Sequence, residues 1–294
     1  MRIRRLLAVL VAVGALLAAA AVSGAFDGST PQRAAAARAD RFDAARAWAD
    51  LRHQVRLGPR PAGSATLRRL AREIRARIPN GRFEPIPGHP GLRNVVGDLP
   101  GTRPAVVVAA HYDTKLLGGF VGANDGAGGT AELLELARDL RRTPRPKAAP
   151  ELRFVFFDGE ENPDDAQPFE AGGLRGSAAY AERHAGEIRA LILLDFVADR
   201  SLSIPREAGS DPGLWNRLRA AARRAGTARA FPPGGIGEVI DDHTPFTRRG
   251  IPAIDLIDFS YPCWHKRCDD LAHVSQRSLD LSGEAVLELL KTWR

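Results

Sequence analysis

Short apolar runs alternate with helical patterns through most of this chain. The strand candidates are residues 106–110, 152–157, 191–194 and 253–257. Strands with so few polar side chains are buried on both faces, which is typical of parallel sheets covered by helices. The helix candidates, with apolar residues at three- and four-residue steps, begin near residue 41 and include residues 67–78, 131–140, 215–225 and 282–293. The sequence therefore predicts a single α/β/α domain with a mostly parallel, mixed central sheet.

Acidic residues and a histidine follow three of the strand candidates. His111 and Asp113 come after the first strand, Glu160 and Glu161 after the second, and Asp195 after the third. Because sites in open α/β sheets form at the carboxyl ends of the strands, we expect these side chains to converge. Carboxylates and imidazole are zinc ligands. Consecutive side chains diverge, so one glutamate can hold metal while its neighbour serves as general acid or base.

Two loops add further candidate residues. Residues 122–129 are rich in glycine and carry Asp125 directly before a predicted helix, so Asp125 is either a ligand or the helix cap. Residues 261–270 carry His265 between Cys263 and Cys268. In an oxidising compartment these two cysteines are expected to form a disulfide that stiffens the loop around His265.

The N-terminal segment predicts export to such a compartment. Residues 1–5 carry three arginines, residues 6–22 are continuously apolar, and small residues follow at 23–25. This is the order of a secretory signal. We therefore expect a signal peptide over residues 1–25, a linker over residues 26–40 and a catalytic domain over residues 41–294. The protein is then secreted or extracytoplasmic, and an uncleaved membrane anchor is the alternative, because the apolar run approaches the length of a spanning helix.

The positive charge of the chain does not point to nucleic acid. The formal net charge is +7, but only four of the 42 basic residues are lysines, and the arginines are spread along the whole chain. Aromatic residues do not alternate with them as they do in stacking platforms for nucleic acids. We expect no nucleic-acid partner, no membrane contact beyond the signal segment, and a monomer.

Several motifs stand in a fixed order from residue 58 to the C-terminus. They are GPRPAGS at 58–64, HYD at 111–113, GAND at 122–125, FFDGEE at 156–161, DDHTPF at 241–246 and WH at 264–265. In this order they resemble the zinc-dependent M28 peptidase superfamily, which contains aminopeptidases and glutaminyl-peptide cyclotransferases. The resemblance implies a zinc-exopeptidase-like fold, a zinc cofactor and peptide or protein N-termini as substrates.

The cyclotransferase branch is similar in FFDGEE, in NVVG at 94–97, in the segment 241–250 and in the long loop between residues 161 and 176. This likeness implies one zinc ion held by Asp125, Glu161 and His265. It also implies that Glu160 carries a proton from the N-terminal amine to the departing ammonia. By the same likeness, Asp195 and Asp241 would form an acid relay beside Glu160, and Trp264 would wall the substrate pocket.

Two positions depart from the cyclotransferase pattern. Those enzymes usually carry a tryptophan in the loop between residues 161 and 176, where this chain has none and Phe169 could take its place. They commonly have a histidine where this chain has Asp255. Both differences concern the pocket that would select glutamine.

The aminopeptidase branch is similar in Asn124 before Asp125, in GLRGS at 173–177 and in the Cys-Trp-His arrangement at 263–265. This likeness implies two zinc ions on either side of a bridging Asp125. His111 and Asp195 would complete one site, and Glu161 and His265 the other. A binding module that has lost its metal is a third alternative, which the full set of acids and histidines disfavours.

Overall fold

The central layer of the protein is a six-stranded sheet. The computed structural model describes residues 42–293, so the predicted signal peptide (residues 1–25) and linker (residues 26–40) lie outside the described residues. The strands of the sheet are β1 (Arg82–Pro85), β2 (Arg93–Leu99), β3 (Thr102–His111), β4 (Pro150–Phe157), β5 (Ile188–Leu194) and β8 (Ala253–Leu256). Their order is β1-β2-β4-β3-β5-β8. Neighbours among β4, β3, β5 and β8 are parallel, whereas β2 is antiparallel to β1 and β4. The predicted mixed, mostly parallel sheet is confirmed.

Helices cover both faces of this sheet. They are α1 (Ala44–Leu57), α2 (Ala65–Arg77), α3 (Ala127–Arg142), α4 (Phe169–Gly172), α5 (Arg175–His184), α6 (Pro212–Ala225), α7 (Thr244–Thr247) and α8 (Gln276–Lys291). Two further strands of two residues each, β6 (Arg206–Glu207) and β7 (Gly235–Ile236), pair in parallel and form a separate small sheet. Within residues 42–293, every helix is too short or too polar to cross a membrane.

Strand β3 shows why the apolar runs are buried on both sides. Val106 and Val108 belong to the larger core, with buried residues of α1, α2, α3, α6 and α8. Val107 and Ala109 belong to the second core, with buried residues of α5 and α7. Successive side chains of a strand point to opposite faces. A strand in the middle layer of a sandwich therefore needs apolar residues at consecutive positions.

The structure also contains elements that the apolar pattern did not predict. β1, β2 and α5 are polar or rich in small residues, so their large apolar side chains do not recur at the spacing of a strand or a helix. Helix α8 begins at Gln276, earlier than the predicted residue 282, because the Ser275 side chain accepts a hydrogen bond from the backbone N–H of Ser278 and caps a polar first turn.

Helix α3 buries an acid that lies outside the strand-end cluster. Glu132 is fully buried, and the Ser282 hydroxyl of α8 contacts its Oε2. Burial raises the pKa of Glu132 to about 8 although the hydrogen bond from Ser282 lowers it. The carboxyl group therefore stays protonated at neutral pH in the folded protein, whereas it ionises near pH 4.5 once the chain unfolds.

We expect Glu132→Gln to flatten the pH dependence of stability. The folded state holds this proton up to about pH 8, so the free energy of unfolding of the wild type falls as pH rises from about 4.5 to 8. Glutamine keeps the shape and does not ionise, so the variant should gain roughly 3 kcal/mol relative to wild type between pH 5 and pH 8. Urea unfolding at both pH values measures this difference. Glu182→Gln, on the exposed side of α5, is the control, and equal pH slopes in wild type and Glu132→Gln would contradict the assignment.

Candidate metal centre and active site

The polar residues that follow the strands lie at one edge of the sheet. His111 is the last residue of β3, Glu160 and Glu161 follow β4, and Asp195 follows β5. All four are buried. The parallel register of β3 with both β4 and β5 brings these strand ends together, because His111 pairs with Phe157, three residues before Glu160.

Two groups of three side chains form at this edge. In the first, which we call the His111 triad, Nε2 of His111 lies 3.3 Å from an oxygen of Asp125 and 3.3 Å from an oxygen of Asp195. In the second, the His265 triad, Nε2 of His265 lies 3.7 Å from Asp125 and 3.5 Å from Glu161. Asp125 belongs to both triads. Its Oδ1 faces His111 and its Oδ2 faces His265.

The carboxylate of Asp269 fixes the position of Asp125. It accepts hydrogen bonds from the backbone N–H groups of Asn124 (2.8 Å) and Asp125 (3.0 Å), and from the hydroxyl of Tyr261 (2.8 Å). Gly126 follows with φ of +88°, and a Cβ atom there would lie 2.5 Å from the carbonyl oxygen of Asp113. Gly126 occupies the N-cap of α3, so the alternative that Asp125 caps this helix is wrong.

Asp113 plays a similar part for the two glutamates. Its two carboxylate oxygens accept hydrogen bonds from the backbone N–H groups of Glu160 (3.2 Å) and Glu161 (3.3 Å). It also lies 3.7 Å from Nδ1 of His111, the ring nitrogen that faces away from Asp125 and Asp195. A carboxylate on that side of an imidazole orients the ring and leaves the other nitrogen for a ligand.

Burial dominates the electrostatics of the cluster. It raises the pKa of Glu161 well above its ordinary value, and the neighbouring Asp125 raises it further. Burial also raises the pKa of Asp195, and Asp241 adds to the effect. For His111, burial alone would lower the pKa, but the carboxylates around it outweigh burial and raise it well above its ordinary value. Each acid in this group would be stabilised by a nearby positive charge.

The side chains of the His265 triad fit a divalent cation. Both carboxylate oxygens of Glu161 and Oδ2 of Asp125 are buried and accept no hydrogen bond from any residue within 42–293. Buried polar atoms in proteins are nearly always paired, so these oxygens require a partner. Two carboxylates and an imidazole are a donor set that zinc accepts, with room for a further ligand.

The predicted pocket residues border one cavity of about 530 Å³ beside the triads. Those lining the cavity are Asp125, Glu160, Phe169, Asp195, Asp241, Trp264 and His265. His111 and Glu161 lie behind this lining. Trp264 is 43% exposed, and its ring is 4.9 Å from that of Phe259. The cavity therefore combines acids at its base with aromatic rings at its rim.

The disulfide between Cys263 and Cys268 is present, as the sequence predicts. It closes the short loop that carries Trp264 and His265. The backbone of His265 has φ of +50°, a conformation that residues other than glycine seldom adopt. The loop constrains this conformation and directs the imidazole towards Asp125 and Glu161.

Sequence reasoning missed Lys115. Its Nζ is 3.6 Å from Oε2 of Glu161, 2.5 Å from Asp165 and 3.3 Å from the carbonyl oxygen of Asn162. The side chain is buried and lines the cavity. A single lysine two residues after the HYD motif carries no pattern that would identify it from the sequence.

A further buried network around His243 was only partly visible in the sequence. Nε2 of His243 is 3.4 Å from Glu207, and Nδ1 is 3.8 Å from Asp255. Burial would raise the pKa of Glu207, but hydrogen bonds from His243 and Ser210 lower it to about 2. Asp241, Asp255 and His243 also lie close enough together to be considered a group of ligands. Glu207 belongs to a two-residue strand, and no motif in the sequence points to it.

The chain matches known proteins in both sequence and structure. Residues 94–290 match the family model described as peptidase family M28. The glutaminyl-peptide cyclotransferase of Bothrops jararaca is 30% identical over 239 residues, which cover 66% of this chain and 63% of the relative. The cyclotransferase of Bos taurus is 29% identical, with 66% and 64% covered. The chain thus spans slightly less than two thirds of the length of these curated relatives.

Solved structures show the same fold. Porphyromonas gingivalis glutaminyl cyclase has a TM-score of 0.75 at 28% identity, covering 85% of this chain and 98% of that one. The glutaminyl cyclase of an Acidobacteriales bacterium has a TM-score of 0.74 at 29% identity, with 85% and 94% covered. A leucine aminopeptidase precursor from Bacteroides thetaiotaomicron has a TM-score of 0.76 at 24% identity, with 86% and 98% covered, and supports the fold alone. These likenesses confirm the predicted fold and the resemblance read from the motifs.

We expect Asp269→Asn to weaken zinc binding. The carboxylate of Asp269 accepts hydrogen bonds from two backbone N–H groups, and asparagine would turn its own NH₂ group towards one of them. The loop that carries Asp125 would therefore shift. Loss of such a supporting contact typically lowers metal affinity by about 10- to 100-fold. Competition with a chromophoric chelator measures the affinity. The control is Asp270→Asn at the adjacent half-exposed residue, which contacts His273 and Ala272. Equal zinc affinities for the two variants would contradict this role of Asp269.

Proposed function

We propose, from the premise that this chain belongs to peptidase family M28, that the protein is a zinc-dependent glutaminyl-peptide cyclotransferase. In this reaction the N-terminal glutamine of a peptide or protein becomes pyroglutamate and ammonia is released. The observation that carries the proposal is that Glu160 lines the same cavity as Asp125 and His265, two members of the His265 triad. The names of the sequence relatives and of the structures above 25% identity support it.

The His265 triad would hold the zinc ion of this enzyme. Asp125, Glu161 and His265 supply two carboxylates and one imidazole around a common point. When bound there, zinc supplies Lewis-acid polarisation of the substrate amide. Asp269 and Asp113 hold the backbones of Asp125 and Glu161 in place, so the donor set is formed before substrate arrives.

Glu160 would move the proton in the reaction. The nitrogen of the N-terminal amine forms a bond to the side-chain amide carbon of glutamine, and the bond from that carbon to the amide nitrogen breaks. Glu160 accepts one proton from the attacking amine and donates it to the leaving nitrogen, which departs as ammonia. Its carboxyl group borders the cavity, and its backbone N–H is fixed by Asp113.

Asp195 and Asp241 would assist Glu160 from the same wall of the cavity. Both line it, and the charge of Asp241 raises the pKa of Asp195. These acids titrate as a coupled set, so a proton can be shared among them while the N-terminal amine of the substrate is bound. Trp264 and Phe169 border the cavity as apolar surfaces against which the aliphatic part of a glutamine side chain can pack.

A di-zinc aminopeptidase is the second candidate, and the His111 triad favours it. His111 and Asp195 lie on the opposite side of Asp125 from Glu161 and His265, so all the side chains for a second metal site are in place. In this reading Asp195 holds metal instead of assisting Glu160. Glu160 would then remove a proton from the water that attacks the peptide carbonyl.

The remaining proposals concern the cellular context. We propose that residues 1–25 are a signal peptide and residues 26–40 a linker, that residues 41–294 form the catalytic domain, and that the enzyme acts outside the cytoplasm as a monomer. The disulfide at Cys263 and Cys268 supports export, because such bonds persist in oxidising compartments. We propose that its partners are the N-termini of peptides or proteins and that it does not bind nucleic acid.

A mass spectrum distinguishes the two enzymatic readings. We expect the zinc-loaded domain to remove one ammonia from a peptide beginning Gln-Leu and to leave the same peptide beginning Leu-Leu unchanged. Glu160→Gln should lower kcat by about 10²- to 10⁴-fold while zinc remains bound, because only the proton transfer is lost. Loss of a whole residue from Leu-Leu would establish the aminopeptidase. Unchanged peptides in both tubes would contradict both enzymatic readings.

The zinc content of a His111 variant tests the number of ions. If the protein is a one-zinc cyclotransferase, wild type and His111→Asn should each retain one zinc per chain after equilibrium dialysis, because His111 lies outside the His265 triad. Glu161→Gln should lose that ion in the same experiment. A wild type with two ions that falls to one in His111→Asn would favour the aminopeptidase. Elemental analysis against protein concentration gives these ratios.

A further inference from the structure

A second cavity adjoins the cavity of about 530 Å³ that Glu160 lines, which we call the inner cavity. It has a volume of about 480 Å³ and is lined by Ser203, Pro205, residues 236–239 and residues 258–260; we call it the outer groove. Glu238, Val239 and Phe259 line both cavities. The outer groove is therefore continuous with the proposed active site and leads away from it along the surface.

Hydrogen bonds to one buried carboxylate fix the walls of the outer groove. One oxygen of Asp258 accepts a hydrogen bond from the backbone N–H of Ser203 (2.7 Å). The other oxygen accepts hydrogen bonds from the backbone N–H (3.2 Å) and the hydroxyl (2.6 Å) of Ser260. The segment around residue 203 and the segment 258–260 are thus joined through a single side chain. The groove is formed in advance and does not need a ligand to assemble it.

Exposed apolar side chains border the inner cavity, and one of them, Phe259, also lines the outer groove. Ile240, Phe259 and Trp264 are each at least 40% exposed and border the inner cavity. Phe259 packs against Phe196 on one side and Trp264 on the other, which leaves part of its ring open to solvent. Clustered exposed aromatic groups at the mouth of a cavity are typical of a surface that binds another molecule.

The charge of the outer groove is opposite to that of the whole chain. The protein carries a formal net charge of +7. The groove is nevertheless lined by the acids Glu238 and Asp258, and by no basic residue from the described part of the chain. Glu238 is exposed, whereas Asp258 is buried and hydrogen-bonded, so Glu238 is the acid that a ligand can reach.

We propose that the outer groove binds the second and third residues of the peptide substrate, and that it favours an apolar second residue and a basic third residue. Successive side chains of an extended peptide point in opposite directions, so the two residues meet different walls. The second side chain would pack on the exposed part of the Phe259 ring, and the third would face Glu238. The inference rests on the proposed function for the placement of the N-terminal residue in the inner cavity.

A charge exchange at Glu238 tests the proposal. The substrates are amidated peptides beginning Gln-Phe-Lys and Gln-Phe-Glu, and kcat/KM is measured for each at low salt. We expect the wild type to prefer Lys over Glu by about fivefold, as for an exposed ion pair, and Glu238→Lys to reverse this preference. Raising the ionic strength should reduce both preferences. Glu182→Lys makes the same charge change on α5, away from the groove, and should keep the wild-type preference.

A second variant tests the apolar wall. Peptides beginning Gln-Phe-Lys and Gln-Gly-Lys differ only at the second residue, and Phe259→Ala should reduce the advantage of Phe over Gly. An unchanged Lys-to-Glu ratio in Glu238→Lys, or an unchanged Phe-to-Gly ratio in Phe259→Ala, would overturn the assignment of the groove.

The dipeptide Gln-Ala-amide separates this inference from the proposed function, because it lacks a third residue. Turnover of that dipeptide with unaltered ratios for the longer peptides would reject the groove and keep the cyclotransferase. If no peptide is turned over, the cyclotransferase is rejected. Fluorescence anisotropy of the labelled peptides then measures the corresponding ratios of binding affinity without turnover. The effect of Glu238→Lys on these ratios shows whether the groove binds the third residue.

Discussion

The concentration of buried carboxylates at the carboxyl edge of the sheet is the constraint on which the site depends. Asp125, Glu161 and Asp195 are withdrawn from water, and each raises the energetic cost of charge on its neighbours. Such groups remain buried only when protons or cations compensate them. His111 and Lys115 supply part of that compensation. The oxygens of Glu161 accept no hydrogen bond within residues 42–293 and require further positive charge, and this need for a cation relates the fold to the proposed chemistry.

The sequence predicted the middle of the fold better than its margins. Strands β3, β4 and β5 are covered on both sides, so their side chains must be apolar and the pattern is unmistakable. Strand β2 and helix α5 have one side near solvent or are built from small residues, and they depend on pairing with β4 or packing against the second core. Such elements are determined by their neighbours, which a local pattern cannot show.

The same distinction applies to the site. His111, Glu161 and Asp195 could be predicted as a group because each lies at or shortly after the carboxyl end of a strand of the same sheet. Asp269 lies 144 positions from Asp125 in the chain, so its contact with the backbone of Asp125 could not be predicted from the sequence. Lys115 and Glu207 likewise acquire partners only through tertiary structure. A sequence pattern identifies residues placed by secondary structure, whereas residues placed by loops meeting in space need coordinates.

The two oxygens of Asp125 face different histidines, and this arrangement makes the two triads thermodynamically dependent on each other. Any ion drawn to one oxygen withdraws electron density from the other and restrains its rotation, so affinities on the two sides are linked and the linkage is reciprocal.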